Sequence, residues 1–321
     1  MNAESIARMI VGGARLTCAS ELEWTLDSDL DELCEAADLI RRELRGNKVD
    51  LCTIINGKSG RCGEDCKFCA QSVRHCTHIK EHAFLPVDDI VSAARANQEE
   101  GVDRFSIVTA GRALTDAEFE LALEAFHRMS DELHIELCAS LGLLRPEQFV
   151  QLREAGVVRY HCNIETSRRF FPSICTTHSF EEKIATIHNA REAGLQVCSG
   201  GIIGMGETFM DRIDMALTLA ELCVDSIPIN VLIPIPGTPL EKLERLEAPE
   251  ILRTMAIFRF ANPEANIRFA AGRELVSENG RGAFESGADS AITGNMLTTT
   301  GSTIASDREM LVRIGREVVE R

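Results

Sequence analysis

From about residue 49 onward, short apolar runs alternate with longer segments whose apolar residues recur every three or four positions. That is the pattern of parallel strands joined by crossover helices. The runs predict eight strands, at 49–55, 104–109, 134–140, 157–165, 195–203, 225–232, 266–271 and, with a fainter signal, 289–292. Helix-period segments such as 86–101, 115–130 and 179–194 lie between them, and several close on glycine, which takes the left-handed conformation that ends helices. Eight such units predict an α/β fold of the TIM-type (β/α)8 barrel kind, with an open doubly wound sheet as the alternative. Residues 1–47 are expected to form a helical N-terminal extension, and 48–321 a single barrel domain.

Within the strands the two side-chain phases differ in chemistry. One phase carries Asp50, Cys52 and Ile54, then Glu136, Cys138 and Ser140, then His161, Asn163 and Glu165. It continues through Cys198 and Gly200, through Ser226, Pro228 and Asn230, and to Arg268. The opposite phase is mostly apolar. Successive strand residues face opposite sides, so if the apolar phase meets the helices, the polar one lines the barrel interior. Polar residues in phase on most strands describe a reaction chamber rather than a dry core.

Composition narrows the class. A chain of 321 residues with 45% hydrophobic content can bury a large core. The net charge of −16 and a pI near 5.0 disfavour nucleic acid or an anionic membrane as the main partner and favour a small molecule. No apolar run reaches the ~18 residues of a spanning helix, and the start shows no signal-peptide core, which predicts a cytoplasmic protein. Twelve cysteines without an oxidising compartment point to metal ligands rather than disulfides. Cys18, Cys34, Cys175 and Cys223 are expected to be packing residues.

Three cysteines stand apart from the rest. The run GKSGRCGEDCKFCAQS follows the first strand and places Cys62, Cys66 and Cys69 on a loop at the barrel mouth. Zinc ribbons usually pair two CxxC units, whereas three thiolates around a four-iron cubane leave one iron open. Phe68, just before the last cysteine, can shield such a cluster. Cys76, between His75 and His78, is expected to be ordinary surface chemistry.

The CxxxCxxC triplet, with its aromatic, resembles the defining motif of the radical S-adenosylmethionine superfamily. The run GGIIGMGE, with Gly200, Ile202, Gly204 and Glu207, resembles the adenine-side motif of the same group. Longer stretches sharpen the resemblance to the biotin synthase family: TIINGKSGRCGEDCKFCAQS, ELCASLG, YHCNIETS, VCSGGIIGMGET, SIPINVLIPIPGTPL, IRFAAGRE and a terminal LTT. The resemblance covers about residues 48–300. It implies a [4Fe-4S] cluster on the triplet, S-adenosyl-L-methionine on the open iron, and 5′-deoxyadenosyl radicals that abstract hydrogen from dethiobiotin. Sulfur would come from an auxiliary iron–sulfur cluster of two irons or more. By position, Asn163 and Glu165 would hold the ribose, Asn163 also lying near the substrate ring, and Lys183 would hold the methionine carboxylate. Asn230 would meet the ureido group, and Thr299 with Thr300 the substrate carboxylate. A flavodoxin or ferredoxin donor and a homodimer are further implications.

At the auxiliary cluster the sequence departs from the family's best-known pattern of three cysteines and one arginine. Cys138, Cys198 and Arg268 match three of the positions, but the strand-two position is Ser106, a poor iron ligand beside a thiolate. Cys52 points inward from the first strand and is the expected replacement. Cys162 lies in the opposite phase and is expected to face the helices. The rival readings are a hydrogenase maturase or a methylornithine-forming mutase in the same superfamily, and a non-catalytic iron- or zinc-binding regulator outside it.

Overall fold

The parallel segments of the chain are β1 (Asp50–Lys58), β2 (Arg104–Thr109), β3 (Glu136–Ser140), β4 (Val157–His161), β5 (Gln196–Cys198), β6 (Gly201–Ile203), β7 (Ser226–Val231), β8 (Asn266–Phe269) and β9 (Ser290–Ile292). The computed structural model that defines them describes residues 2–294 and 302–318. The segments pair in the order β5-β4-β3-β2-β1-β9-β8-β7-β6, and the pairing of Cys198 with Ser226 joins β5 to β7 and closes the ring. Since β5 and β6 are two halves of one strand, the result is the predicted (β/α)8 barrel. The open-sheet alternative is excluded by that closure.

Two predicted strands are shorter than their apolar runs suggested. The run 157–165 leaves the sheet after His161, and 195–203 breaks at Ser199 and Gly200. The cause is a close crossing of backbones. A Cβ on Gly200 would lie 2.0 Å from the Pro228 carbonyl oxygen, and one on Gly201 would lie 2.3 Å from that of Glu165. Only glycine permits this approach. Glu165 takes a φ of 70°, and its backbone pairs with this segment, its N–H donating to Gly200 O at 3.1 Å and its carbonyl accepting from Ile202 N at 2.8 Å. The break turns the end of the strand into a loop lip over the chamber.

The outward phase packs as its composition requires. Leu51, Phe105, Leu137, Tyr160, Val197, Ile227 and Ile267 are all buried in one core with helix residues such as Phe126, Phe149 and Phe258. Full burial of each such side chain contributes about 1.5–3 kcal/mol. The helices are capped by their own sequence. Ser179 Oγ accepts from Glu182 N at 3.2 Å while Glu182 accepts from Ser179 N at 2.7 Å, fixing the start of the helix Phe180–Glu192 that carries Lys183.

The N-terminal segment holds the helices Ala3–Val11 and Leu30–Arg45. Trp24 sets its ring edge-on to Phe260, centroids 5.3 Å apart, and Arg45 pairs with Asp289 at 2.9 Å. No helix among the described residues is long and apolar enough to cross a membrane.

Candidate active site

A cavity of about 370 Å³ lies inside the barrel. Its walls are the polar phase read from the sequence: Cys52, Cys138, Asn163, Glu165, Cys198 and Asn230 all line it, with Arg268. Cys162 does not, and instead joins the core between strands and helices as expected.

The triplet loop folds back on itself after β1. Cys62 N donates to Gln71 O at 3.0 Å and Val73 N to Cys62 O at 2.9 Å, while Cys69 N closes a turn on Cys66 O at 2.9 Å. The turn brings Cys62 and Cys66 alongside Cys69. His75 Nδ1 lies 2.8 Å from the Cys69 carbonyl, so this histidine braces the loop rather than forming a site with Cys76, which is exposed. Phe68 packs against the small cluster of Ile174, Met205 and Leu232, and both Phe68 and Cys69 face the cavity. Burial pushes the Cys69 thiol up to about 11.

Beside the triplet, Asn163 Oδ1 accepts from Gly200 N at 3.0 Å. Glu165 sends Oε1 to within 3.7 Å of Lys183 Nζ, while its buried Oε2 has no partner among the described residues. Burial favours neutral Lys183, but the nearby Cys162 and Glu165 outweigh it and raise its pKa. Asn230 donates to Gly201 O at 3.1 Å and accepts from Ala271 N at 3.2 Å, leaving one N–H and one lone pair for a guest. Ile202 lines the cavity, and Gly204 turns the loop with a φ of 92°.

Glu207, expected on the cofactor, is occupied by its own chain. Its carboxylate accepts from Gly204 N and Met205 N, each at 2.7 Å, and from Arg212 Nε at 2.8 Å. It shapes the loop from behind and does not line the cavity. Thr299 and Thr300 lie outside the described residues.

Deeper in the barrel, Cys52, Cys138 and Cys198 share one electrostatic neighbourhood. Burial pushes Cys52 up to about 12 and raises Cys138. Burial would also raise Cys198, but His161, aligned with it across the β4–β5 pair, pulls it down to about 7. Around these thiols stand Arg104, Arg159 and Arg268. Asp50 answers two of them, accepting from Arg268 NH2 at 2.6 Å and Arg104 Nε at 2.7 Å. Burial would keep Asp50 protonated, yet Arg268 and Arg104 together hold its carboxyl well below the usual range. Arg159 gives Nε and NH2 to Gln196 Oε1 at 3.0 and 2.8 Å, and its buried NH1 has no partner among the described residues.

Glu136 pairs with Arg104 from an exposed position rather than lining the cavity as its strand phase suggested. Three guanidiniums against Asp50 and this outlying carboxylate leave an excess of buried positive charge, which is costly without an anionic guest. Thiolates and a cluster bearing inorganic sulfide fit that need, and the three thiols supply soft donors for it. Arg104 and Arg159 escaped the sequence analysis. Their signal was present, since each stands two residues before an inward position, Ser106 and His161 respectively. Ser106 itself lines the cavity, in register with Cys138.

The expectation for the remaining cysteines needs correction. Cys18 and Cys223 are exposed rather than packed. Cys175 is buried as expected, but it stands 3.7 Å from Cys66, thiol to thiol.

A parallel barrel with a three-cysteine loop at its mouth and a glycine-rich lip beside it defines a radical S-adenosylmethionine enzyme. Residues 56–220 match the radical SAM superfamily and residues 228–317 the biotin and thiamin synthesis associated domain. The chain is 55% identical to the biotin synthase of Clostridium beijerinckii, over 97% of this chain and 99% of that one. It is 53% identical to the biotin synthase of Alkaliphilus metalliredigens, over 98% and 99% respectively. The chain belongs to the biotin synthase family. Among solved structures it is similar in fold to methylornithine synthase, with a TM-score of 0.85 at 18% identity over 98% of this chain and 97% of that one. The hydrogenase maturase HydG from Carboxydothermus hydrogenoformans shares the fold with a TM-score of 0.81 at 16% identity, over 98% and 78%.

Proposed function

We propose that the chain converts dethiobiotin to biotin, with S-adenosyl-L-methionine held at the mouth of the barrel and sulfur delivered from deeper inside. The observation that supports this reading is one cavity bordered by two sets of thiols, Cys69 of the triplet at its mouth and Cys52, Cys138 and Cys198 within. When bound, the clusters and S-adenosyl-L-methionine supply the hydrogen-abstracting radical and the inserted sulfur. The chain's own residues bind, orient and exclude water.

In this reading Cys62, Cys66 and Cys69 hold the [4Fe-4S] cluster. Cys52, Cys138 and Cys198 hold the auxiliary cluster, and Arg268, Arg104 and Arg159 balance its charge. Glu165 has an unpartnered carboxylate oxygen and Asn163 a side chain fixed by the Gly200 amide, which suits both to ribose hydroxyls. Lys183 meets the methionine carboxylate, and Gly200, Ile202 and Gly204 form the face for a flat base, shaped by Glu207. Asn230, with one free donor and one free acceptor, meets the ureido group, and Thr299 with Thr300 the substrate carboxylate. Residues 48–321 act as one catalytic domain with 1–47 as an extension. A flavodoxin or ferredoxin donor, a homodimer and a cytoplasmic location belong to the same reading.

The test is anaerobic reconstitution with iron and sulfide, followed by assay with dethiobiotin, S-adenosyl-L-methionine and a low-potential reductant. Biotin and 5′-deoxyadenosine should both form. If neither does in protein carrying both clusters, the reading fails.

A further inference from the structure

Cys175 and His178 have no part in the chemistry above, yet both are buried against the triplet loop. Cys66 Sγ lies 3.7 Å from Cys175 Sγ, and Cys175 Sγ lies beside the His178 ring, 3.3 Å from Nδ1 and 3.7 Å from Nε2. One donor atom from each of Cys66, Cys175 and His178 falls within 4.8 Å of the others. A tetrahedral ion with metal–sulfur bonds of about 2.3 Å and metal–nitrogen bonds of about 2.1 Å separates its ligand atoms by roughly 3.5–3.8 Å. The two 3.7 Å separations match those edges.

The surroundings match as well. Glu64 Oε2 sits 2.5 Å from His178 Nδ1. A carboxylate behind one imidazole nitrogen orients the ring and presents the other nitrogen to a metal. Asp65 does not compete for the ring: its carboxylate accepts from Thr176 N at 2.8 Å and Thr177 N at 3.2 Å, which fix the segment carrying Cys175 and His178, and in the metal-free chain from the Cys175 thiol at 3.3 Å. Two sulfurs and one nitrogen leave a fourth corner for water or sulfide. This donor set selects a borderline-soft divalent cation, ferrous iron or zinc, over magnesium or calcium.

We propose that Cys66, Cys175 and His178 form a mononuclear site for ferrous iron or zinc in the cluster-free chain. Cys66 belongs to both this site and the triplet, so the two are mutually exclusive. A ferrous ion held here stands beside the loop that the four-iron cluster will occupy, and transfer of Cys66 to the cluster dissolves the site. Zinc held here withholds Cys66 and blocks assembly. Only this exclusivity rests on the triplet being the cluster site. The metal site itself needs neither S-adenosyl-L-methionine nor dethiobiotin.

The test uses the full chain, purified anaerobically without clusters, reduced, and titrated with Co²⁺, whose visible absorption reports tetrahedral thiolate coordination. The double variant Cys62→Ala/Cys69→Ala should retain a one-to-one tetrahedral signal. Adding Cys175→Ser or His178→Ala should abolish it, and adding Glu64→Gln should weaken binding about 10–100-fold. Wild-type protein carrying a reconstituted four-iron cluster should take up no tetrahedral Co²⁺ at this site. A signal that survives both Cys175→Ser and His178→Ala, or no tetrahedral signal in the double variant, overturns the proposal. Far-UV circular dichroism identifies a misfolded variant, in which case Glu64→Gln decides, and unchanged affinity there overturns it. Biotin formation is measured separately, so failure of this site and failure of the catalytic reading are distinguishable.

Discussion

Asp50, the first residue of β1, and Arg268, on β8, meet inside the barrel with 2.6 Å between carboxylate and guanidinium. The same carboxylate reaches Arg104 on β2 at 2.7 Å. One acidic group thus ties together three strands of the ring around the buried thiols, and it is the ion pair on which the charge balance there depends.

Asp50→Asn keeps the shape of that group and removes its charge, leaving Arg268 without its ion pair and Arg104 with the exposed Glu136 alone. Breaking a buried pair in this way costs about 3–5 kcal/mol. Urea unfolding of the cluster-free protein at neutral pH should show that loss. A change within experimental error would mean that the arginines find other partners.

Cys52→Ala separates the two clusters. After reconstitution the variant should lose the iron of the auxiliary cluster and keep that of the triplet, so 5′-deoxyadenosine still forms while biotin does not. Iron and sulfide counts with Mössbauer spectra provide the check. Wild-type iron content would show that Cys52 is only a small buried strand residue.

Lys183→Met removes the ammonium group facing Glu165. If Lys183 holds a carboxylate of S-adenosyl-L-methionine, the KM for that compound should rise about tenfold, the value of a hydrogen bond to a charged group. Iron content should be unchanged. Steady-state formation of 5′-deoxyadenosine gives KM, and an unaltered KM would reduce Lys183 to a structural partner of Glu165.

Asp211 links pH to the lip of the site. Burial opposes its charge, but it accepts from Ser167 Oγ at 2.6 Å, Thr208 Oγ1 at 2.7 Å and Thr208 N at 2.8 Å, and its pKa falls to about 2. The unfolded value is about 3.9, so the folded group binds its proton less readily. Its stabilisation, about 2 kcal/mol, is complete above about pH 4 and drains away as pH falls through the folded value. Wild type and Asp211→Asn should therefore differ in urea stability at pH 7 and converge toward pH 2. A gap of constant size would assign the effect to shape rather than charge.

Strand phase carried much of the site into view. Alternation alone placed Cys52, Cys138, Cys198, Asn163 and Arg268 on one inward face, because a parallel barrel gives every strand one side toward the axis and one toward the helices. The same alternation pointed to Arg104 and Arg159, but a charged residue near a strand end also suits an exposed terminus. Their burial becomes visible only when Asp50 and Gln196 close around them.

Other features depend on meetings that no local window contains. Glu207 sits in a motif associated with a nucleotide, yet its carboxylate turns back onto the amides two and three residues before it and onto Arg212. Cys175 is 109 residues from Cys66 in the chain and 3.7 Å from it in space.

The sequence by itself determined the barrel, the three-cysteine loop and most of the strand residues that turn inward, because spacing and periodicity are local and each strand reports its own phase. Only the tertiary structure decided which inward charges neutralise one another, which carboxylate is left free for a guest, and that a fourth cysteine stands against the triplet. Those outcomes depend on distances across the ring, where burial sets the strength of each pairing.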